Sequence, residues 1–282
     1  LGWSDGHSFI PVNSCLLSSS KEKNRRQEAY KIDKRCSGYK QRLMAQASAP
    51  ETLLKMLKIA LKEGIKASYV LFDSWFSFPS LILDIKKLGL EVIAIVKKTS
   101  KVHYLYKGKR LSVTDIYKMN RKRRGRSGYL LSVEVELSRK ESKESCPARL
   151  VFVRNRSNRK DYLVLISTDM TLTEDEIIRI YGKRWDIEVL FKTSKSFLWL
   201  TKGCRSISCD AMTAHTAIVF TRYMLLAFMH RLETDDRTIG VLFYSLSEEV
   251  SDITLAEAMR RLIEAFVTIA AEKLLINEIE LK

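Results

Sequence analysis

The hydrophobic positions in the first hundred residues follow two periods, one helical and one typical of strands. Residues 49–64, APETLLKMLKIALKEG, carry apolar side chains at helical spacing between an acidic first turn and a final Gly, which predicts a helix of about 14 residues. The apolar run 69–72 then ends at Asp73, and the helix-like PSLILDIKKLG and the strand-like LEVIAIVKK follow. This order predicts an α/β sheet with parallel neighbouring strands.

Between residues 97 and 168 the pattern changes to short β-type runs separated by Gly, Asn and charged residues. YLLSVEVEL alternates as an antiparallel strand does, so we predict an antiparallel β insertion here. Residues 1–20 predict two strands joined by a turn at Asp5 and Gly6. The basic stretch 21–47 has no clear period and is predicted to be a loop.

A helix is predicted again over YGKRWDIEVLFKTSKSF, downstream of Thr173 as a cap and an acidic first turn. Tyr181, Arg184, Glu188 and Lys195 stand at the spacing Y-x2-R-x3-E-x6-K, which puts them on one face of a continuous helix.

Two interpretations of this stripe remain open. A carboxylate among cations and a Tyr hydroxyl suits a metal ion held beside a phosphodiester. Alternatively, the charges simply face water while the apolar side chains of an amphipathic helix pack inward. Those apolar side chains are Ile187, Val189, Leu190 and Phe191. Asp73 is similarly ambiguous, because an Asp at a strand end either serves a site or caps the next helix.

The motif, with Trp185 three residues before Glu188, resembles the signature of DDE transposases of bacterial insertion sequences, in the subgroup named after Tyr-Arg-Glu-Lys. The segment SYVLFDSWFS agrees with that resemblance. The resemblance implies a ribonuclease-H-like mixed sheet. It also implies that Asp73 and Glu188 are two of three carboxylates that hold two Mg²⁺ ions, with Mn²⁺ as a substitute. It also implies that Arg184 and Lys195 hold phosphates and that Tyr181 hydrogen-bonds to one of them.

The first Asp of the family's triad has no counterpart here, so we expect an N-terminally truncated chain that lacks the first strand of the sheet and is inactive in this form. Asp5 is the nearest alternative, but a hairpin turn explains it better than metal binding. By resemblance Trp185 would stack on a base of the transposon end, although packing in the core explains it equally well. For Trp75 we favour core packing.

The formal charge of +16 is concentrated in two basic blocks. Residues 21–42 hold nine Lys or Arg against three acids, and residues 97–126 hold twelve against Asp115 alone. Such blocks predict a polyanion partner, and we favour DNA. The residues predicted to bind it in the second block are Arg121, Lys122, Arg123 and Arg124.

The apolar stretch 211–230 contains His215, Arg222 and His230, which predicts a buried helix and not a membrane span. The five cysteines lack the spacing of a zinc site, and we expect free thiols. No phosphate loop or serine-hydrolase elbow is present, which argues against those two enzyme classes. A ribonuclease or resolvase would leave the signature spacing unexplained.

The predicted division of the chain is a truncated catalytic core (1–96), the β insertion (97–168), a helical region that completes the site (169–230) and an acidic helical tail (231–282). We expect DNA cleavage and strand transfer at the ends of an insertion sequence, by a homodimer on DNA in the bacterial cytoplasm near the nucleoid. The alternative is a catalytically inactive remnant that only binds DNA.

Overall fold

The computed structural model describes residues 1–25, 31–124, 127–139, 144–155, 158, 161–232, 259–260, 262–264 and 266–267. The chain divides into two compact units, Leu1–Met224 and Leu225–Lys282. The first unit holds the described strands, and its main feature is one seven-stranded sheet.

The strands are β1 Gly2–Ser4, β2 Phe9–Pro11, β3 Tyr69–Phe72, β4 Glu91–Ile95, β5 Tyr104–Tyr106, β6 Lys109–Leu111, β7 Tyr129–Ser138, β8 Ser145–Arg154 and β9 Tyr162–Ser167. The α-helices are α1 Ser37–Ala45, α2 Ala49–Lys62, α3 Pro79–Lys86, α4 Val113–Met119, α5 Glu174–Gly182, α6 Asp186–Ser196 and α7 Cys209–Leu232. Short 3-10 helices span Glu22–Asn24 and Lys183–Trp185.

The α/β pattern predicted for residues 49–96 is confirmed. Helix α2 has the predicted 14 residues and begins with a capping box, in which Glu51 accepts from the backbone N–H of Ser48. It ends where Gly64 adopts a φ of 81°, a conformation that favours glycine. Strands β3 and β4 are parallel neighbours, and α3 connects them along the chain, which is the βαβ arrangement expected from the sequence.

Antiparallel strands follow, as the alternating pattern of residues 97–168 predicts. They continue the sheet of β3 and β4, because β9 pairs with β4 and the strand order is β3-β4-β9-β8-β7-β5-β6. The sheet is therefore mixed, with β3 at one edge and β6 at the other. Helix α4, between β6 and β7, is not foreseen by the sequence analysis.

The sheet buries both faces. Helices α2, α3 and α4 cover one face, where Leu57, Ile82 and Ile116 pack on side chains from the strands. Helix α5 lies on the other face, where Ile177 packs against Ile93 of β4 and its neighbours. The packing of α5 on this face places its last turn, where the signature begins with Tyr181, at the sheet.

Two local predictions are wrong. Part of the stretch predicted as a loop forms α1, whose Arg42 makes an ion pair with Asp210 at the start of α7. The second concerns α7, which is predicted to be buried. Its stretch Cys209–Arg231 is long and apolar enough to cross a membrane by length and composition, and 22% of its most apolar part is buried. Its buried side chains in the first unit include Val219 and Tyr223, so the helix is partly exposed and not fully buried.

In the second unit, the described residues place the rings of Phe228 and Phe266 6.2 Å apart between centroids. Leu226 and Val267 are buried there. Most of the predicted acidic tail lies outside the described residues.

The hairpin predicted at the start of the chain is present. Strands β1 and β2 pair antiparallel as a two-stranded sheet of their own. In the turn between them, Asp5 accepts hydrogen bonds from the backbone N–H groups of His7 and Ser8, at 2.9 and 2.8 Å. Its carboxylate thus has the turn-forming role that the sequence predicts.

Candidate active site

Asp73 follows the last residue of β3, at the carboxyl end of a parallel pair of strands, and it is exposed. Its carboxylate accepts the backbone N–H of Trp75 at 2.9 Å, which holds a tight turn. Helix α3 begins only at Pro79 with Phe78 as its cap residue, so the alternative that Asp73 caps this helix is wrong.

The helix predicted for the signature is interrupted. Tyr181 belongs to α5, Arg184 to the 3-10 turn Lys183–Trp185, and Glu188 and Lys195 to α6. Gly182, a weak helix former, stands at the junction, where the winding tightens to the 3-10 form. The prediction of one continuous α-helix is therefore wrong. Residues three and four positions apart in the sequence are still neighbours across this 3-10 break.

Arg184 connects the two sides of this break. Its Nη1 donates to Oε1 of Glu188 at 3.1 Å, and its guanidinium carbon lies 5.9 Å from the centre of the Tyr181 ring. The Arg184 side chain is 21% exposed and that of Glu188 is 47% exposed, so the pair lies at the rim of the protein surface. A cation in this position can also meet a phosphate.

Tyr181 links this pair to the strand ends. Burial raises the pKa of the Tyr181 hydroxyl, the nearby Arg184 lowers it, and the negative charge of Asp73 raises it again. The effect of Asp73 requires that carboxylate to be near Tyr181, which also packs beside Ile95 at the end of β4. Asp73, Tyr181, Arg184 and Glu188 thus form a chain of neighbours, which brings both carboxylates to one region of the molecule.

The hydroxyl of Tyr181 is enclosed, with Arg184 and the backbone of Ile95 as polar neighbours, and within the described chain no acceptor takes its proton. An unpaired buried hydroxyl costs free energy unless a ligand satisfies it. Its position beside a cation makes an anionic oxygen the ligand that suits it best.

Helix α6 does not pack as a simple amphipathic helix. Leu190 is buried, but Val189 and Phe191 are 44% and 38% exposed. Lys195 is exposed, and its ammonium lies 5.8 Å from the centre of the Phe191 ring. The face that carries Glu188 and Lys195 is consequently open to a ligand, and the interpretation with all apolar residues packed inward does not describe it.

The N-terminal hairpin supports the break in the helix. Lys183 Nζ donates to the carbonyl oxygen of Gly6 at 2.6 Å, and Ser4 Oγ donates to Asp186 at 3.3 Å. These contacts join segments about 180 residues apart in sequence. Local sequence patterns contain no signal for such long-range contacts.

Two tryptophans near the carboxylates are exposed, Trp75 by 70% and Trp185 by 65%. The expectation that Trp75 packs in the core is wrong, because the turn at Asp73 directs it outward. Core packing is likewise wrong for Trp185, which leaves its flat face available to a ring or a base.

The predicted basic residues at the α4–β7 connection lie apart from the signature. Arg123 stacks on Tyr129, with its guanidinium carbon 4.4 Å from the ring centre. Its positive charge is one of the causes that lower the pKa of Glu174, in the first turn of α5. Lys122 lies 4.5 Å from the centre of the Tyr117 ring. Because Tyr181 is at the other end of α5, about 10 Å separates the two regions along the helix. Arg121 and Arg124 are exposed beside them.

The donor chemistry of Asp73 and Glu188 fits a hard divalent cation, which prefers carboxylate oxygens. The set is incomplete, because among the described residues no three His, Cys, Asp or Glu side chains cluster closely enough to hold a metal ion. The five cysteines are free thiols, as predicted, and take no part in the site.

Comparison with known proteins bears on the family of the chain. A search among curated proteins gives no match. A family model described as the transposase DDE domain matches residues 41–225, well over half of the chain, and this range includes both carboxylates and the whole signature. Members of this family cut and join DNA during transposition and generally use divalent metal ions. The chain therefore belongs to the DDE transposase family.

Proposed function

We propose that this chain is the catalytic region of a bacterial insertion-sequence transposase of the Tyr-Arg-Glu-Lys subgroup, with a ribonuclease-H-like core. The single observation that carries the proposal is the connected set Asp73, Tyr181, Arg184 and Glu188, in which Tyr181 lies near Asp73 and Arg184 joins Tyr181 to Glu188. The reaction is hydrolysis of a DNA phosphodiester at the element's end, followed by attack of the freed 3′ hydroxyl on a target strand.

Each side chain has a role that its surroundings support. Arg184 is anchored by Glu188 on one side, so its remaining N–H groups are oriented toward a phosphate oxygen. Tyr181 offers the unpaired hydroxyl as a further donor to that phosphate. Lys195 is held over Phe191 on the same helix and supplies a second cation.

Asp73 and Glu188 are the residues that would hold the divalent ions, Mg²⁺ with Mn²⁺ as a substitute, together with a third carboxylate from outside this pair. Two such ions activate the attacking hydroxyl and stabilise the leaving oxygen when bound. Because Glu188 also pairs with Arg184, metal binding would share this carboxylate between the two cations.

The wider surface suits DNA. The exposed Trp185 beside the cations can stack on an unpaired base. We place Arg121, Lys122, Arg123 and Arg124 in a second DNA contact at the start of α5, on the β insertion of residues 97–168. A homodimer on paired transposon ends, acting near the bacterial nucleoid, follows from this assignment.

A second function is favoured by one observation, the absence of a third clustered carboxylate among the described residues. In that case the chain binds DNA through its basic surface and does not cleave it. Both functions predict DNA binding, and only the first predicts strand cleavage.

Nicking of supercoiled plasmid in the presence of Mg²⁺ or Mn²⁺ tests the proposal. The first function predicts relaxed circles from the unaltered chain and their loss from Glu188→Gln and Asp73→Asn, both of which remove a carboxylate with little change in shape, whereas the second predicts no relaxed circles from any of the three proteins. Glu63→Gln, at the exposed C-terminal end of α2, is the matched control and should nick normally.

The outcomes separate the two functions. Nicking that survives Glu188→Gln sinks the assignment of this site. Tight DNA binding with no nicking in either metal, from protein that unfolds cooperatively, favours the non-cleaving alternative.

A further inference from the structure

A cavity of about 370 Å³ opens where the N-terminus of α3 meets the β5–β6 hairpin and the end of β7. We call it the basic cavity, because its walls include Lys101, His103, Arg110 and Arg139 but no Asp or Glu. Neither Asp73 nor any residue of the signature lines it, so it is distinct from the candidate active site.

The cations at its rim are available to a ligand. Lys101 and Arg110 are exposed, and within the described part of the chain no carboxylate pairs with either. Among the described residues, Arg110 donates one of its N–H groups to a side chain, Ser138 Oγ at 3.1 Å, which orients the guanidinium and leaves its other donors open to a ligand. Unpaired cations on both sides of a concave surface attract an anion.

The inner wall supplies further donors. Arg139 Nη2 bonds to the carbonyl of Ser80 at 3.2 Å and to Asp84 at 2.6 Å, while its Nε is buried and has no partner within the described residues. Ser80 lies in the first turn of α3, a helix end that no side chain caps. The positive end of the helix dipole therefore adds to the cationic side chains.

Phe78, Pro79 and Val102 add apolar surface to the wall. The cavity thus combines an anion-binding rim with a hydrophobic surface, and its volume exceeds what one phosphate group fills. A phosphodiester with its attached deoxyribose matches both properties, since the sugar can pack on the ring while the phosphate meets the cations. A metal cation does not fit a wall of this charge.

The distance from the candidate active site is compatible with one DNA molecule occupying both. Phe78 follows Asp73 by five residues, so the chain between them spans at most about 18 Å. Because phosphates on one strand repeat every 3.4 Å along the duplex axis, that reach corresponds to about five base pairs.

We propose that the basic cavity binds one backbone phosphate of the DNA substrate, within about five base pairs of the phosphate held at the candidate active site. This inference rests on the proposed DNA-binding function and adds a specific anchoring site to it. The cavity fixes the register of the DNA without reading its sequence, because a backbone phosphate carries no base information.

Salt-dependent binding in the absence of divalent metal tests the site. Fluorescence anisotropy with a random-sequence duplex, in EDTA over a range of KCl concentrations, gives the slope of log affinity against log salt. The double variant Lys101→Gln, Arg110→Gln should make this slope less steep by about one, since both cations meet the same phosphate and each neutralised phosphate contributes about 0.9. Affinity should fall uniformly across different duplex sequences.

The matched control is Lys55→Gln, Lys58→Gln, which removes the same charge from exposed positions on α2. Its slope should change by less than half a unit. Equal losses in the two double variants would mean that net charge alone drives binding, and the assignment of the cavity would be wrong. Thermal unfolding of each variant checks that the fold is retained.

A measurement on the unaltered protein distinguishes the source of the phosphate. Acetylation of lysines by a water-soluble ester, quantified by mass spectrometry, should be slowed at Lys101 by the duplex and unaffected at Lys58. Protection of Lys101 by inorganic phosphate but not by the duplex would show a site for small phosphate compounds and overturn the proposal.

This test is independent of catalysis, because it uses no divalent metal and requires no cleavage. If plasmid nicking fails while the slope change and the protection of Lys101 are found, the cavity assignment holds for a non-cleaving DNA-binding protein. If nicking depends on Glu188 while Lys101 is not protected, the proposed function stands and the cavity assignment falls.

Discussion

At the scale of single residues, Trp75 shows how position decides the role of a side chain. It follows the apolar run of β3, where a tryptophan commonly packs inward, yet it is 70% exposed because the preceding turn is closed by Asp73. An exposed ring two residues from a candidate catalytic carboxylate offers a stacking surface to an unpaired base.

We therefore expect Trp75→Ala to weaken binding of a fluorescent oligothymidylate by about 1 to 3 kcal/mol, or about 5- to 150-fold. Trp75→Phe should keep most of the affinity, since it keeps an aromatic face. Trp199→Ala is the control, because Trp199 is similarly exposed at 58% but follows α6. Anisotropy titration measures all three, and an equal loss in the Trp199 variant would argue against a stacking role.

Asp169 is a residue whose effect depends on pH. It accepts from the backbone and hydroxyl of Thr171 at 2.9 and 2.6 Å and from the hydroxyl of Tyr69 at 2.8 Å. The bond from the Thr171 hydroxyl is the main cause that holds the pKa of Asp169 below its usual range. Burial and the bond to Asp169 raise the pKa of Tyr69 to about 12, so this phenol stays a donor at neutral pH.

A carboxyl whose pKa is lower in the folded state stabilises the fold above its ordinary pKa, near 3.9, and loses this contribution as the pH falls through the folded value. Urea unfolding at pH 5.5 and 3.5 should show a larger drop in the free energy of unfolding for the unaltered protein than for Asp169→Asn. The same drop in both proteins would mean that other carboxyls account for the acid sensitivity.

At the scale of elements, α5 links the core to the signature, and its start is set by local sequence. Thr173 and Glu176 form a capping box, with Oε2 of Glu176 accepting the N–H of Thr173 at 2.9 Å and Oγ1 of Thr173 accepting the N–H of Glu176 at 3.4 Å. The helix then runs over the sheet and delivers Tyr181 to the carboxyl end of β4.

Thr173→Ala should lower the free energy of unfolding by about 1 kcal/mol, the usual effect of removing a helix cap, while Thr173→Ser should have little effect. Urea unfolding measures the difference. Thr201→Ala, at an exposed position in a turn, is expected to change stability by less than about 0.5 kcal/mol. A loss of similar size at Thr201 would remove the special role of the cap.

Local signals explain which elements could be predicted. Caps, Gly terminators and a single clear period give α2, β3, α3 and β4, because each element's own residues determine it. The break at Lys183–Trp185 could not be predicted in this way, since its support comes from Gly6 and Ser4 at the other end of the chain. For the same reason the spacing of the signature identifies its residues but not the turn on which Arg184 lies.

The pairing of strands is equally non-local. Alternation in YLLSVEVEL predicts an antiparallel strand, but nothing within residues 97–168 indicates that β9 pairs with β4 and extends the first sheet. The candidate site follows the same rule. All four residues are found from their motifs, whereas the path of contacts from Asp73 through Tyr181 and Arg184 to Glu188 becomes evident only when α5 is placed on the sheet.

At the scale of the whole molecule, the positive charge exceeds what folding requires. The net charge is +16, and cations such as Lys101, Arg110 and Lys195 are exposed. Like charges at this density repel one another in the folded chain, so a polyanion partner that neutralises them is favoured. The basic cavity and the signature lie in the same unit, which lets one duplex neutralise both.

We expect metal-free binding of a 30-base-pair duplex to weaken steeply with salt, because each neutralised phosphate releases counterions. Six to ten phosphate contacts would lower the affinity by about 10³ to 10⁵ between 50 and 200 mM salt. A duplex of the same sequence with an uncharged methylphosphonate backbone is the control and should bind weakly at all salt concentrations. Affinity that barely changes with salt, or equal binding of the two duplexes, would show that the basic surface has another purpose and would remove the physical basis for a DNA partner.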